Sequence, residues 1–259
     1  MLISATRRRD LIIGGGILAS RPFWACACAS AQEPQRGCYV SDGSLRQKLG
    51  SNNSSWSFDL NTDPTFGGSG NKEFDQALAQ TLYRLTDLFS ILPGFAFFNE
   101  DQGPNAFASP SKRLHRSDGS VVFGQQLLKK LMGFAEHPAA RVAAVCAHEF
   151  GHIVQYKRGI DRVLVGTDGR VKQLELHADY LAGYFAGTRR LARSDFPAST
   201  FADAQFNAGD NMISHPDHHG TGEERGEAVS AGYFAAYRHK KTFEDAITAG
   251  IDYVKALPD

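Results

Sequence analysis

Apolar residues recur at steps of three and four along residues 74–92: Phe74, Leu78, Leu82, Leu85, Leu88 and Leu92. That period places them on one face of a helix. Asn71 stands where an N-cap belongs, and Pro93-Gly94 ends the run. Three short aromatic or β-branched stretches follow: 95–99, 105–108 and 121–123. Gly103-Pro104 and the polar stretch 112–119 separate them, so they predict three strands. The third runs into a helix over 125–132. A further helix is predicted from His137-Pro138 to Lys157-Arg158-Gly159. Proline costs nothing in a first turn, cations suit the negative helix end, and glycine suits the position just past it. Residues 159–169 read as a loop, and a helix over 171–190 comes next. On it Glu175, Asp179, Ala182, Gly183 and Ala186 share a face whose small residues admit a close neighbour, expected to be the helix over 138–158. Thr221-Gly222-Glu223-Glu224 is a capping box, and Thr242-Phe243-Glu244-Asp245 opens the last helix in a similar way. The pattern predicts an α+β fold, mainly helical with a small sheet.

The ends of the chain divide it. Arg7-Arg8-Arg9 precedes an apolar run over 11–19 that is too short to span a bilayer comfortably. Arg8-Arg9-Asp10-Leu11-Ile12 resembles a twin-arginine export signal, and an ordinary secretory signal stays open beside it. Ala29-Ser30-Ala31 has the small-x-small form that signal peptidase prefers, so cleavage is expected before Gln32. The expected organisation is an export signal at 1–31, an irregular Ser/Asn/Gly-rich lead-in at 32–71 and one domain at 72–257. The protein is then periplasmic or secreted, and meets a membrane only through an uncleaved leader. Lys+Arg and Asp+Glu both number 28 in 259 residues, with no basic run, so nucleic acid is not an expected partner. Cys26 and Cys28 leave with the leader. Cys38 and Cys146 remain and can pair in an oxidising compartment. Cys146 reads alternatively as a small buried hydrophobe.

The helix over 138–158 carries the chemistry. It contains His148-Glu149-Phe150-Gly151-His152 just after the apolar stretch 142–147. Residues four apart share a face, so His148 and His152 can hold one metal ion between two imidazoles. Glu149 can contact a water beside that ion. On the helix that follows, Glu175 supplies a third ligand, and Asp179 stands one turn later to accept from a ligand histidine. Two histidines and one carboxylate leave a position for water, the pattern of a catalytic zinc site. They can also hold non-haem iron. Glu149 is then the general base. His219, just before a helix start, is the candidate donor for a developing oxyanion. His177, two residues from Glu175, points elsewhere and reads as a surface or helix-contact residue.

These residues resemble a known family. His148-Glu149-Phe150-Gly151-His152, then Glu175-Leu176-His177-Ala178-Asp179 with Ala182-Gly183 shortly after, is similar to the bacterial neutral zinc metallopeptidases, with His-Glu-x-Gly-His and Glu-x-x-Ala-Asp. His219-Gly220-Thr221 with Arg225 resembles that family's C-terminal motif. Asn105-Ala106-Phe107-Ala108 resembles the prenyl-protease-like zinc endopeptidases. Both groups are gluzincins, whose third ligand is a glutamate. The resemblance implies a zincin-like fold and one Zn²⁺ held by His148, His152 and Glu175. It implies Glu149 as base, Asp179 as support, and a substrate-binding edge strand at Asn105 and Ala106. The expected activity is hydrolysis of protein or peptide substrates. The alternatives are a non-catalytic zinc-stabilised binding module and a zinc hydrolase of a non-peptide amide.

Overall fold

The computed structural model describes residues 38–49, 69–100, 103–114 and 116–258. The leader and the rest of the lead-in lie outside the described residues. In order, these residues form α1 (Asp42–Leu49), α2 (Lys72–Phe89), β1 (Gly94–Phe98), β2 (Ala106–Ser109), β3 (Ser120–Gly124) and α3 (Gln125–Met132). Then come α4 (Pro138–Arg158), α5 (Asp161–Leu164), α6 (Lys172–Ala192), α7 (Ser199–Phe206), α8 (Gly222–Tyr237) and α9 (Phe243–Lys255). The result is mainly helical with a small three-stranded sheet, an α+β fold.

Local chemistry accounts for the element ends. The Asn71 side chain accepts the Phe74 N–H to start α2, and Ser90 stops it in the left-handed region, with φ 51°. Thr221 and Glu224 make the expected reciprocal capping box on α8. Gly159 at φ 68° closes α4. Glu100 accepts the Gln126 and Leu127 N–H groups at the start of α3, where partial positive charge gathers.

The sheet runs β1-β3-β2, with β1 parallel and β2 antiparallel to β3, so β2 is an edge strand. Successive side chains point to opposite faces. Phe95, Phe97, Val121 and Phe123 join the main core with the helices. Ala96, Phe98, Phe107 and Val122 face the other way, onto Val40 and Leu45. Both faces are covered, which is why Gly94–Phe98 is apolar throughout instead of alternating. The stretch read as an irregular lead-in therefore contributes α1 and two fully buried side chains.

Helix α4 packs on α6 through Gly151, where an added Cβ would sit 3.1 Å from the Ala178 backbone. The small residues further along α6 serve another neighbour. A Cβ at Gly183 would fall 1.9 Å from the Val229 carbonyl of α8, and one at Gly232 of α8 would fall 1.8 Å from the Tyr180 carbonyl. The expectation that this face meets α4 thus holds for its first two turns, through Glu175 and Asp179, and is corrected for the rest. Helix α6 is buried on all sides from Leu174 to Gly187, so periodicity could not say which side met which partner. Helix α5 occupies part of the predicted loop, and α7 was not anticipated. Among the described residues no helix is long and apolar enough to cross a membrane.

Candidate metal centre

Two turns of α4 and one turn of α6 meet at the site. His148 Nε2 and His152 Nε2 lie 3.1 Å apart. Glu175 Oε2 is 3.2 Å from the first and 3.5 Å from the second. Donors about 2.0–2.1 Å from a shared tetrahedral ion stand about 3.3–3.4 Å from one another. The three atoms are thus spaced as ligands of one small cation. A fourth donor completes them. Cys38 Sγ lies 3.6 Å from His148 Nε2, close to the roughly 3.5 Å expected between a thiolate and an imidazole nitrogen on one zinc. Cys38, His148, His152 and Glu175 together form a group that can hold a metal ion.

The hydrogen bonds around the imidazoles fix which nitrogen faces the site. His148 Nδ1 donates to Asp179 Oδ1 at 2.7 Å. Arg225 holds that carboxylate from behind, with Nε 2.7 Å from Oδ2 and Nη2 3.0 Å from Oδ1. His152 Nδ1 donates to Gln155 Oε1 at 2.7 Å, while Gln155 Nε2 donates to the Leu174 carbonyl at 2.7 Å. In the neutral rings both Nε2 atoms are therefore bare lone pairs. Two bare nitrogens and a carboxylate oxygen facing one another need a cation or a proton between them. Glu175 Oε2 and Glu149 Oε2 are moreover buried without a hydrogen-bond partner.

Charge leads to the same conclusion. Glu149, Glu175, Asp179 and Arg225 are all buried. With neutral histidines, three carboxylates against one guanidinium leave two negative charges, three when Cys38 binds as the thiolate, and a divalent cation offsets two of them. Without an ion, protons take its part. Burial would lower the His148 pKa, but the Asp179 carboxylate outweighs it and raises it to about 10. Burial would raise Glu175, but His152 and His148 hold it well below the usual carboxylate range. Burial keeps Glu149 above its ordinary value. Burial, then Glu149 and Glu175, push the Cys38 thiol up.

The site opens on a cavity of about 310 Å³ lined in part by Cys38, Asn105, Ala106, His148, Glu149 and His219. The structure thus brings together all the residues expected at the site. Asp179 takes the predicted place behind His148. The His219 N–H donates to Asp210 Oδ2 at 2.9 Å, and its ring lies against the same carboxylate. His177 is a helix contact, wholly buried. It accepts from Gln155 at 3.0 Å and faces the Ile247 carbonyl of α9. A larger hollow, about 380 Å³, lies by Phe196, Val229 and Phe234 and shares no residue with the donor set.

Cys38 and Cys146, whose pairing the sequence left open, are both free thiols. Cys146 is buried on α4 two residues before His148, on another side of the helix. Cys38 is turned toward the candidate metal ligands by its backbone, which bonds to β2 and to Glu175. Sequence reasoning also missed Gln155 and the role of Arg225. Gln155 stands three residues past His152, a readable spacing. No local pattern joins Cys38 to a histidine 110 positions away.

The chain matches no protein-family model, no curated protein and no solved structure. Fold and donor set define a mainly helical α+β protein with a buried site able to hold a metal ion.

Proposed function

We propose that this chain is an exported zinc-dependent endopeptidase of the gluzincin type. The observation that carries the reading is the meeting of two bare imidazole nitrogens and a Glu175 oxygen beside a cavity that Glu149 also lines. Zinc is preferred to iron because the donor set includes a thiol as well as imidazoles and a carboxylate. A zinc ion held there would polarise a substrate carbonyl and ease the ionisation of water. The remaining work belongs to the chain. Glu149 takes the proton of the attacking water and delivers it to the leaving nitrogen. Its raised pKa suits a group that must both accept and return a proton. Asp179 and Gln155 keep the ligand rings in place and in the required tautomer. His219 donates toward the developing oxyanion, and the free edge of β2 at Ala108 aligns the substrate backbone, while the Asn105 side chain takes the Ala106 N–H.

A second reading has one observation in its favour. Four protein donors, Cys38 included, match the closed site of a structural zinc, as in a non-catalytic binding module. Glu149 weighs against it, because a structural site has no use for a base.

The test is Glu149→Gln, made in a chain already carrying Cys38→Ala so that the cysteine masks nothing. The expected result is about one zinc per chain with casein cleavage reduced at least ~100-fold. Unchanged cleavage would remove Glu149 as the base. Zinc without cleavage in every form would favour the binding module.

A further inference from the structure

We infer that Cys38 is the fourth ligand of the metal site and that segment 38–40 lies where a substrate backbone would lie, holding the site closed. The inference rests on the peptidase reading and adds how that site is regulated.

Three sets of contacts carry it. The first is at the metal site. Cys38 Sγ approaches His148 Nε2 at 3.6 Å, and the Cys38 N–H donates to Glu175 Oε1 at 3.1 Å. The cysteine therefore holds one oxygen of Glu175 while the other faces the histidines. The second is at the sheet. The Ala108 N–H donates to the Cys38 carbonyl at 3.1 Å, and the Val40 N–H donates to the Ala108 carbonyl at 3.2 Å. Tyr39 thereby makes a parallel bridge to Ala108, on the side of β2 that β3 leaves free. An extended peptide adding to this edge would need the same N–H and carbonyl of Ala108. It would also have to pass the place that Cys38 fills in the cavity. Segment 38–40 and an extended substrate exclude each other.

The third set anchors the segment. Val40 and Leu45 are buried against Ala96, Phe98 and Phe107 on the far face of the sheet. The Tyr39 ring meets Tyr156 edge-on at 6.0 Å, and Tyr156 stacks on His152. The segment is thus fixed on the C-terminal side of Cys38 and covers the site from there. Cys38 and Glu149 line the same cavity, so the segment also stands beside the proposed base. If the leader is cut before Gln32 as expected, Cys38 stays in the exported chain, so latency would survive export. Withdrawing 38–40 opens the fourth metal position and the strand edge in one motion. The substrate class that fits is an unfolded, extended polypeptide.

The experiment uses the full chain loaded with zinc. X-ray absorption at the zinc edge should show one sulfur neighbour at about 2.3 Å in the parent and none in Cys38→Ala. Casein cleavage should rise at least tenfold in Cys38→Ala. In the parent, zinc should slow alkylation of Cys38 by iodoacetamide at least tenfold, a readout that needs no variant to fold. Zinc bound through nitrogen and oxygen alone would overturn the ligand while leaving the metal site standing. A sulfur signal with no gain of cleavage in Cys38→Ala would overturn the latency. Absence of zinc from both forms would take the peptidase reading down as well.

Discussion

Gln155 sits one turn beyond His152 on α4 and has no exposed surface. Its oxygen accepts from His152, and its nitrogen donates to the Leu174 carbonyl and to His177. Both ends of the side chain are used, and that fixes the amide orientation. Only with the oxygen toward His152 does the ring keep its proton on Nδ1 and turn a bare Nε2 to the site. Gln155→Met keeps the volume and removes the acceptor. The zinc affinity, measured by competition with a chromophoric chelator, should fall about 10–100-fold, the usual effect of losing a ligand's supporting hydrogen bond. An unchanged affinity would mean that His152 is oriented by packing alone. Asp179 plays the matching part for His148, but it is itself held by Arg225, so its loss would disturb two buried charges at once. Gln155 is neutral and gives the cleaner reading.

At the scale of elements, α6 and α8 approach until backbone meets backbone. An added methyl at Gly232 would lie 1.8 Å from the Tyr180 carbonyl, and neither helix can yield locally. Gly232→Ala should therefore cost more than ~3 kcal/mol, read as a lower midpoint in urea with an unchanged slope. The same change at Gly43, where nothing lies within 4 Å, should be nearly silent. This close approach sets the site, since α6 carries Glu175 and Asp179 while α8 carries Arg225. Periodicity with caps, prolines and apolar runs located α3, α4, α6 and the three strands to within a residue or two, whereas α2 stops at Phe89, three residues before the expected Leu92, because Ser90 turns into the left-handed region. Periodicity could not assign partners to the faces of α6, which is buried all round. Segment 38–49 was illegible for another reason. Its two buried side chains, Val40 and Leu45, are too few and too widely spaced to outweigh its polar neighbours. His148, His152, Glu175 and Asp179 were readable because helical spacing is local. Cys38 was not, because its place depends on a contact spanning 137 residues.

For the molecule as a whole, the ion would join stretches that the chain leaves far apart. Segment 38–40, α4 and α6 all supply donors, and α8 supports them through Arg225. A cation that binds only the folded state adds stability by mass action, about 2.7 kcal/mol when free zinc is a hundredfold above its dissociation constant. For a domain of this size that corresponds to about 5–10 °C in Tm. Stripping zinc with a chelator should lower Tm by that amount, and adding it back should restore it. A Tm indifferent to both would mean that protons on His148 serve the fold as well as a metal does, and the metal centre would lose its support. Hydrogen exchange then separates the two ways in which the ion can act. If it binds α4 and α6 alone, chelation should leave the Val40 and Ala108 amides protected. If it also clamps the N-terminal segment through Cys38, those two amides should exchange faster without zinc, while amides in the middle of α2, which no donor touches, should keep their rates. Protection that survives at Val40 and Ala108 would show that the segment is held by Val40 and Leu45 in the apolar pocket, with no contribution from the ion.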